Sequence, residues 1–487
     1  MPPACSTPEA CVPTDLACST PEACVPTEKL MSAPTETAAT VSLDEAPVFG
    51  SFVSSVVLTF GTRLLMLAGV FGSGVIIARW LGADGFGTFA VLNVTVALAV
   101  QIGSAGLPSA NTFFLARDRA TLGPIFANAL VFAIVVGVII AAAVLGLNWL
   151  RPSVFGAVST QLLAAAAISI PFQLLILLGL NILLAIDRIR QLNLFDALLP
   201  AWVLANALVV LLVLRERLFT LVSANTGAAI VLGLLLALYI GREVSKLKQS
   251  RKARVDLQLL TAMLRYGVKF YISIMAGAII FRVDVLIVNR FRGAAEAGVY
   301  AVASQFSFLL LMLPGVIATL LFPRVAASQD ERGEFAAQVT RHTTLVMLLM
   351  CLAAAALSFV LPWIYGARFS DATIQLLILL PGIFFMGLES VLVQHFTGTG
   401  LPASIPVFWI VTLAFNIGLN LLVVPAFGAR GAAVTSTLSY ALIFFFVASY
   451  FSLKTGRGPS ETFVLQTSEL RNLFTPRRWL RGTDFSL

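Results

Sequence analysis

Charge is what this sequence has least of: Asp, Glu, Lys and Arg make up 11% of its 487 residues against 59% hydrophobic residues, and there are two histidines. Globular chains carry about a quarter charged residues, so a mean hydropathy of +0.94 excludes a soluble fold and indicates a polytopic membrane protein. The missing side chains exclude chemistry as well. There is no Walker loop, no H-E-x-x-H, no metal-ligating set and no acidic loop cluster of the kind a metal-dependent glycosyltransferase needs. Without a nucleotide-binding module this chain does not by itself pump with ATP, and no catalytic residue, cofactor or metal is expected. His342 and His395 fall near predicted helix ends and read as interfacial, and Cys351, between Met350 and Leu352, reads as a packing residue.

The other four cysteines, Cys5, Cys11, Cys18 and Cys24, sit in a polar N-terminal stretch in which Ala4 to Thr14 repeats as Ala17 to Thr27. The pairs lack the short C-x₂₋₄-C spacing of zinc sites and have no histidine nearby. A disordered tail is therefore expected, with Met31 as an alternative start and no cleavable signal peptide.

Long apolar runs are plentiful. A spanning helix needs about 20 apolar residues, and twelve such runs centre near Met66, Ala97, Val136, Leu175, Leu208, Leu232, Ala278, Leu310, Leu352, Phe384, Phe415 and Phe444. The expected fold is all-α, with two pseudo-symmetric six-helix bundles around a central cavity. The expected organisation is a cytoplasmic tail (1–48), an N-terminal bundle (49–241), a basic cytoplasmic linker (242–263), a C-terminal bundle (264–452) and a basic cytoplasmic tail (453–487). Basic residues collect on the cytoplasmic side of a membrane. With the N-terminus inside, 21 Lys and Arg fall on that side and 8 on the other, leaving Arg63, Lys269 and Arg282 within helices. The net charge of +8 thus reflects topology rather than a nucleic-acid partner, and both termini are expected in the cytoplasm. The linker could also hold anionic lipid headgroups, although topology alone accounts for it. Pro171, Pro200, Pro314, Pro381 and Pro406 fall inside predicted spans; each is a candidate kink, and none is assigned as a hinge.

The halves are related by sequence. Arg79 to Val91 aligns without a gap on Arg290 to Val302, sharing the arginine, Gly82 with Gly293 and Gly87 with Gly298. With a short gap, Phe60-Gly61-Thr62-Arg63 matches Tyr266-Gly267-Val268-Lys269. Burying a charged side chain at membrane depth costs about 2.5–3.5 kcal/mol, so the intramembrane charges need a partner, a wet cavity or a function. On a continuous helix Lys269 and Asp284 would lie within about 60° of each other, roughly 22 Å apart along the axis, while Arg282 faces elsewhere. One reading is a cavity lined by Arg63 and Lys269 with Asp284 further out; cations in an apolar pocket suit an anionic headgroup such as phosphate. The other reading is matched structural pairs between helices. Asp284 and Glu389 are candidates for ion coupling or charge partnership.

Three stretches carry a resemblance. Ile77 to Gly87 resembles the first-loop signature of the polysaccharide transport family, the O-antigen and exopolysaccharide flippases of the multidrug/oligosaccharidyl-lipid/polysaccharide exporter superfamily. Arg282-Val283-Asp284 resembles the family's seventh-helix pattern, and Asn416 to Ala433 its connection between helices 11 and 12. The resemblance covers about residues 50 to 455. It implies two six-helix bundles working by alternating access in the cytoplasmic membrane to move a polyprenyl-diphosphate-linked oligosaccharide outward for surface polysaccharide synthesis. In that picture Arg63 and Lys269 meet the diphosphate and sugar while the lipid tail stays in the bilayer; Arg282 is a further substrate-binding candidate, and polymerase and assembly proteins are candidate partners alongside membrane lipids. Drug exporters of the same superfamily and a membrane-embedded polymerase or ligase are the alternatives. The first would favour an acidic cavity, and the second a large external loop with Arg and His.

Overall fold

The structure, a computed structural model, describes residues 48–156, 158–246, 252–328, 332–400 and 402–465. Residues 1–47 of the expected N-terminal tail, 247–251 of the linker and 466–487 of the expected C-terminal tail lie outside the described residues. Among the described residues, ten helical segments are long and apolar enough to cross a membrane. Two of them are broken, Val48–Gly103 at Gly82 (φ 70, ψ −174) and Ser404–Thr455 at Gly428 (φ 59, ψ −144). Counting each broken segment as two gives twelve spans. The first six are α1 (48–81), α2 (83–103), α3 (Leu122–Leu150), α4 (Thr160–Ala185), α5 (Ile189–Val213) and α6 (Leu218–Lys246). The second six are α7 (257–292), α8 (294–328), α9 (Glu334–Tyr365), α10 (Asp371–Thr399), α11 (404–427) and α12 (429–455). In the first set α4 packs against α3 and α6; in the second, α10 is the hub against α8, α9, α11 and α12.

The turns explain why the repeated stretch is glycine-rich. Gly82, Gly428 and Gly293 (φ 91) all reverse the chain with positive φ, where a side chain is strained. At Gly428 there is also no room: a Cβ would lie 1.9 Å from Glu296 Oε1. That carboxylate accepts from the Ala429 amide (2.7 Å), answering a free N–H at the start of α12 and tying the α7–α8 turn to the α11–α12 turn.

The second glycine of the repeat joins the halves. A Cβ on Gly87 would come within 1.7 Å of the Ala294 carbonyl oxygen, and one on Gly298 within 2.5 Å of the Ala83 carbonyl oxygen. The duplicated positions therefore place α2 and α8 in reciprocal backbone contact, as small residues allow between membrane helices. At the same end Asn289 donates to the Phe155 carbonyl (2.8 Å). Arg79 donates to the carbonyls of Ile364 (2.7 Å) and Trp363 at the end of α9. At the opposite end the halves meet through Gly106 and Gly267, each too close to the other for a Cβ, and through Tyr271 donating to the Ile102 carbonyl (2.6 Å).

The prolines divide. Pro200 and Pro381 lie inside continuous helix. Pro171 and Pro314 follow interruptions in α4 and α8. His395, expected at an interface, is buried between Phe396 and Phe451, because α10 is covered by neighbours along its length.

Replacing Gly87 by Val is expected to destabilise the protein by about 1–3 kcal/mol, the usual cost of overpacking, read as an earlier melting transition of the purified protein. Gly146→Val, where nothing lies within 4 Å, should leave that transition nearly unmoved.

Candidate functional site

A cavity of about 420 Å³ lies between α1, α2 and α5 on one side and α7 and α8 on the other. Its walls are mostly apolar, with Phe86, Phe89, Phe281 and Phe308, interrupted by Ser73, Asn93, Ser304, Gln305 and Arg282. Toward the Gly82 end it is capped by rings. Tyr365 packs edge-on to Phe86 (6.3 Å between centroids) and Phe306 (5.9 Å), and Phe306 meets Phe71 at 4.8 Å. Tyr365 is buried and its hydroxyl has no hydrogen-bond partner.

Local geometry sets the position of Arg282. Helix α7 is not continuous: Leu257–Ile280 ends, and Arg282 (φ −130, ψ −26) caps Val283–Arg292. The angular relation between Lys269 and Asp284 expected of an unbroken helix therefore does not hold. The break turns the Arg282 guanidinium into the cavity, exposed and with no hydrogen bond or ion pair among the described residues. Asn93 and Gln305 line the same space without hydrogen-bond partners among the described residues. A guanidinium presented to a mostly apolar cavity with no acid among the lining residues has the chemistry to attract an anion.

Asp284, two residues on, does not line the cavity. It is 2% exposed inside the second bundle, where it accepts from Tyr300 (2.8 Å), Asn420 (2.8 Å) and Ser436. Asn416 extends the cluster, bonding Asn420 (3.3 Å) and donating to Ser439 (3.1 Å). The Asn420 Oδ1, Thr412 Oγ1 and Thr435 Oγ1 atoms are buried without partners. A buried carboxylate and the oxygens of Tyr300 and Ser436 that meet it are hard donors of the kind that hold a proton or an alkali cation. Glu389 on α10 is 1% exposed, with Oε1 unpartnered and no ion pair among the described residues. Arg63 and Lys269 occupy helical positions in α1 and α7, and their side chains lie outside the described residues.

Sequence reading of charges missed the uncharged members: Asn93, Gln305, Tyr300, Asn416, Asn420 and Ser436. A signal existed for two of them, since Asn416 and Asn420 stand four apart in an apolar run and so share a helix face. Another was the duplication, which aligns Tyr300 with Phe89 and so places a hydroxyl in one half only.

Twelve spans in two packed sets around a cavity give the fold of the multidrug/oligosaccharidyl-lipid/polysaccharide exporter superfamily, and with the family match that follows the protein is a membrane transporter or flippase. Residues 52–329, more than half of the chain, match the polysaccharide biosynthesis protein family, and the chain belongs to that family. It is 23% identical over 243 residues to the probable low-salt glycan biosynthesis flippase Agl15 of Haloferax volcanii, a match covering 48% of this chain and 51% of that protein. The chain thus matches about half the length of that relative. Among solved structures it resembles the lipid II flippase MurJ in an inward closed conformation (TM-score 0.69, 15% identity, 83% of this chain and 88% of that one). It also resembles an inward-facing multidrug resistance transporter of the MATE family (TM-score 0.66, 14% identity, 82% and 98%). At such identities the likeness shows the fold.

The two neighbouring charges should respond oppositely to deletion. Asp284→Ala leaves the Tyr300, Asn420 and Ser436 donors without their acceptor, and buried groups left unpaired cost about 1–3 kcal/mol each; a clear drop in melting temperature is expected. Arg282→Ala removes a group that touches no protein acceptor, so the same melt should be unchanged or slightly raised.

Proposed function

We propose that this protein flips a polyprenyl-diphosphate-linked oligosaccharide across the cytoplasmic membrane by alternating access, for surface polysaccharide synthesis. The observation that carries the reading is the pairing in one cavity of an unneutralised guanidinium, Arg282, with uncharged amides and hydroxyls on an otherwise apolar wall. A diphosphate needs the cation, sugar hydroxyls suit the amides, and the prenyl chain stays in hydrocarbon. Arg63 and Lys269 join this reading from the sequence alone, as further cations for the diphosphate. The basic-loop end would face the cytoplasm with both termini, and the ring-capped Gly82 end would face outward. Opening outward then requires the Tyr365 cluster and the Arg79 bonds to separate.

Energy would enter through the second bundle. Asp284, in its closed set of oxygens, and Glu389, buried without a partner, are the groups whose occupancy by a cation or proton would alter how α7, α10, α11 and α12 pack. With Asp284→Asn or Glu389→Gln in proteoliposomes, transport should lose its response to an imposed Na⁺ or pH gradient. An undiminished response in both variants removes the coupling assignment.

Cells lacking the gene should accumulate polyprenyl-diphosphate oligosaccharide of repeat-unit mass in their lipid extracts. Wild-type protein should clear it, and Arg282→Ala at equal membrane abundance should not. Unchanged lipid extracts in a strain also stripped of related transporters would sink the flippase reading and favour drug export.

A further inference from the structure

Beside the central cavity, wholly within the first bundle, lies a second space of about 120 Å³ bordered by α2, α4, α5 and α6. It shares Phe89, Asn93, Leu199 and Val203 with the central cavity, so the two are neighbours across one rim. Its polar lining is Asn93, Ser169, Gln173, Asn225 and Thr226, with no ionisable side chain. Uncharged donors and acceptors in that number are costly to hold at membrane depth unless answered, and here they are answered only in part.

The bonds that exist serve a break in α4 between Thr160–Ala167 and Ile170–Ala185. Thr226 donates to the Ala165 carbonyl (2.9 Å), and the Ser169 hydroxyl adds to its own backbone amide on the Ala166 carbonyl (2.6 Å). Gln173 Nε2 donates to Ser169 Oγ (3.0 Å), which leaves its Oε1 without a described donor. Asn225 Oδ1 accepts from Asn206 (2.8 Å), which leaves its amide hydrogens without a described acceptor. Asn93, exposed at the rim, makes no hydrogen bond among the described residues. The space therefore offers an acceptor at Gln173, a donor at Asn225 and a full amide at Asn93, beside the Phe89 ring. Broken helices around a polar space are where membrane transporters hold their cargo.

The duplication sharpens this. Phe89 occupies the position that Tyr300 holds in the second half. There the hydroxyl donates to Asp284 and lies in a closed cluster. In the first half the ring has no hydroxyl, no acid stands beside it in either lining, and the space opens onto the cavity. One ancestral position has become part of a sealed anionic cluster in one bundle and of an open neutral pocket in the other.

We infer that this pocket is a sugar subsite. It takes the edge of one uncharged monosaccharide unit, a neutral hexose or N-acetylhexosamine, whose hydroxyl or acetamido group bonds Gln173 and Asn225 while its C–H face lies on Phe89. At about 120 Å³ the space is small beside the 420 Å³ cavity it adjoins, a size suited to one such substituent rather than to a chain of rings. The inference rests on the flippase reading, and it assigns the glycan end of the cargo to the first bundle, with Arg282 on the opposite wall for the diphosphate.

The test is binding of two probes to the full-length protein in detergent: undecaprenyl diphosphate, and undecaprenyl diphosphate bearing one N-acetylglucosamine. Wild type should prefer the sugar-bearing lipid about tenfold, the scale of one or two added hydrogen bonds. Gln173→Leu and Asn225→Leu should each bring that ratio to near one, with melting temperatures reported alongside so that an unfolded variant is recognised. Phe89→Leu, which touches no polar partner, should lower the ratio without loss of folding and provides the same readout if both amide variants unfold. Arg282→Ala should weaken both lipids and keep the ratio. Retention of the preference in folded variants, or no preference in wild type, overturns the subsite and leaves the flippase reading standing. Failure of wild type to bind either lipid overturns both.

Discussion

Hydrocarbon offers no hydrogen bonds, so a chain crossing it stays helical except where protein groups can answer for the freed backbone. The breaks in this structure follow that constraint. Ser169 and Thr226 hydroxyls cover carbonyls where α4 is interrupted, and the Glu296 carboxylate covers an amide where α12 begins. Two of the interruptions border a cavity: the α4 break borders the neutral pocket, and the α7 break puts Arg282 at the central cavity. Irregular backbone and candidate cargo surface lie side by side at both places, because the polar side chains that answer the backbone stand next to those that face the cavity.

The same constraint sorts the charges. Arg282 and Asp284 are two residues apart and meet opposite conditions, one solvated by the cavity, the other enclosed by Tyr300, Asn420 and Ser436. A direct pair between them would have cancelled both and left the cavity neutral. By giving Asp284 its own donors, the second bundle leaves the cation free. The two bundles thus share an ancestry and divide the chemistry.

Much of this was legible beforehand. The twelve spans followed from run length and hydropathy, and the turns from the glycines shared by the repeat, because both depend on local composition. The divergence of Arg282 from Asp284 followed from helical periodicity, although the break at residues 281–282 replaced the uniform helix on which the angles were reckoned. The neutral residues were hidden. An asparagine in a membrane helix, such as Asn93 or Asn416, carries no topological imprint, and only packing decides whether it meets a cavity or a cluster. His395 was misplaced for a related reason: a residue near the end of a predicted run is covered when the helix extends beyond it, as α10 does to Thr399.

The bond partners of Arg79 have a consequence for variation and for conditions. Its acceptors are the main-chain carbonyls of Trp363 and Ile364, among the last of a helix and without partners of their own there. Any amino acid at those two positions supplies the same oxygens, so the fastening depends on the identity of Arg79 alone, while the facing residues are free to change. Because the acceptors carry no ionisable group, the fastening also stays indifferent to the acidity of the medium, unlike one built on an arginine and a carboxylate.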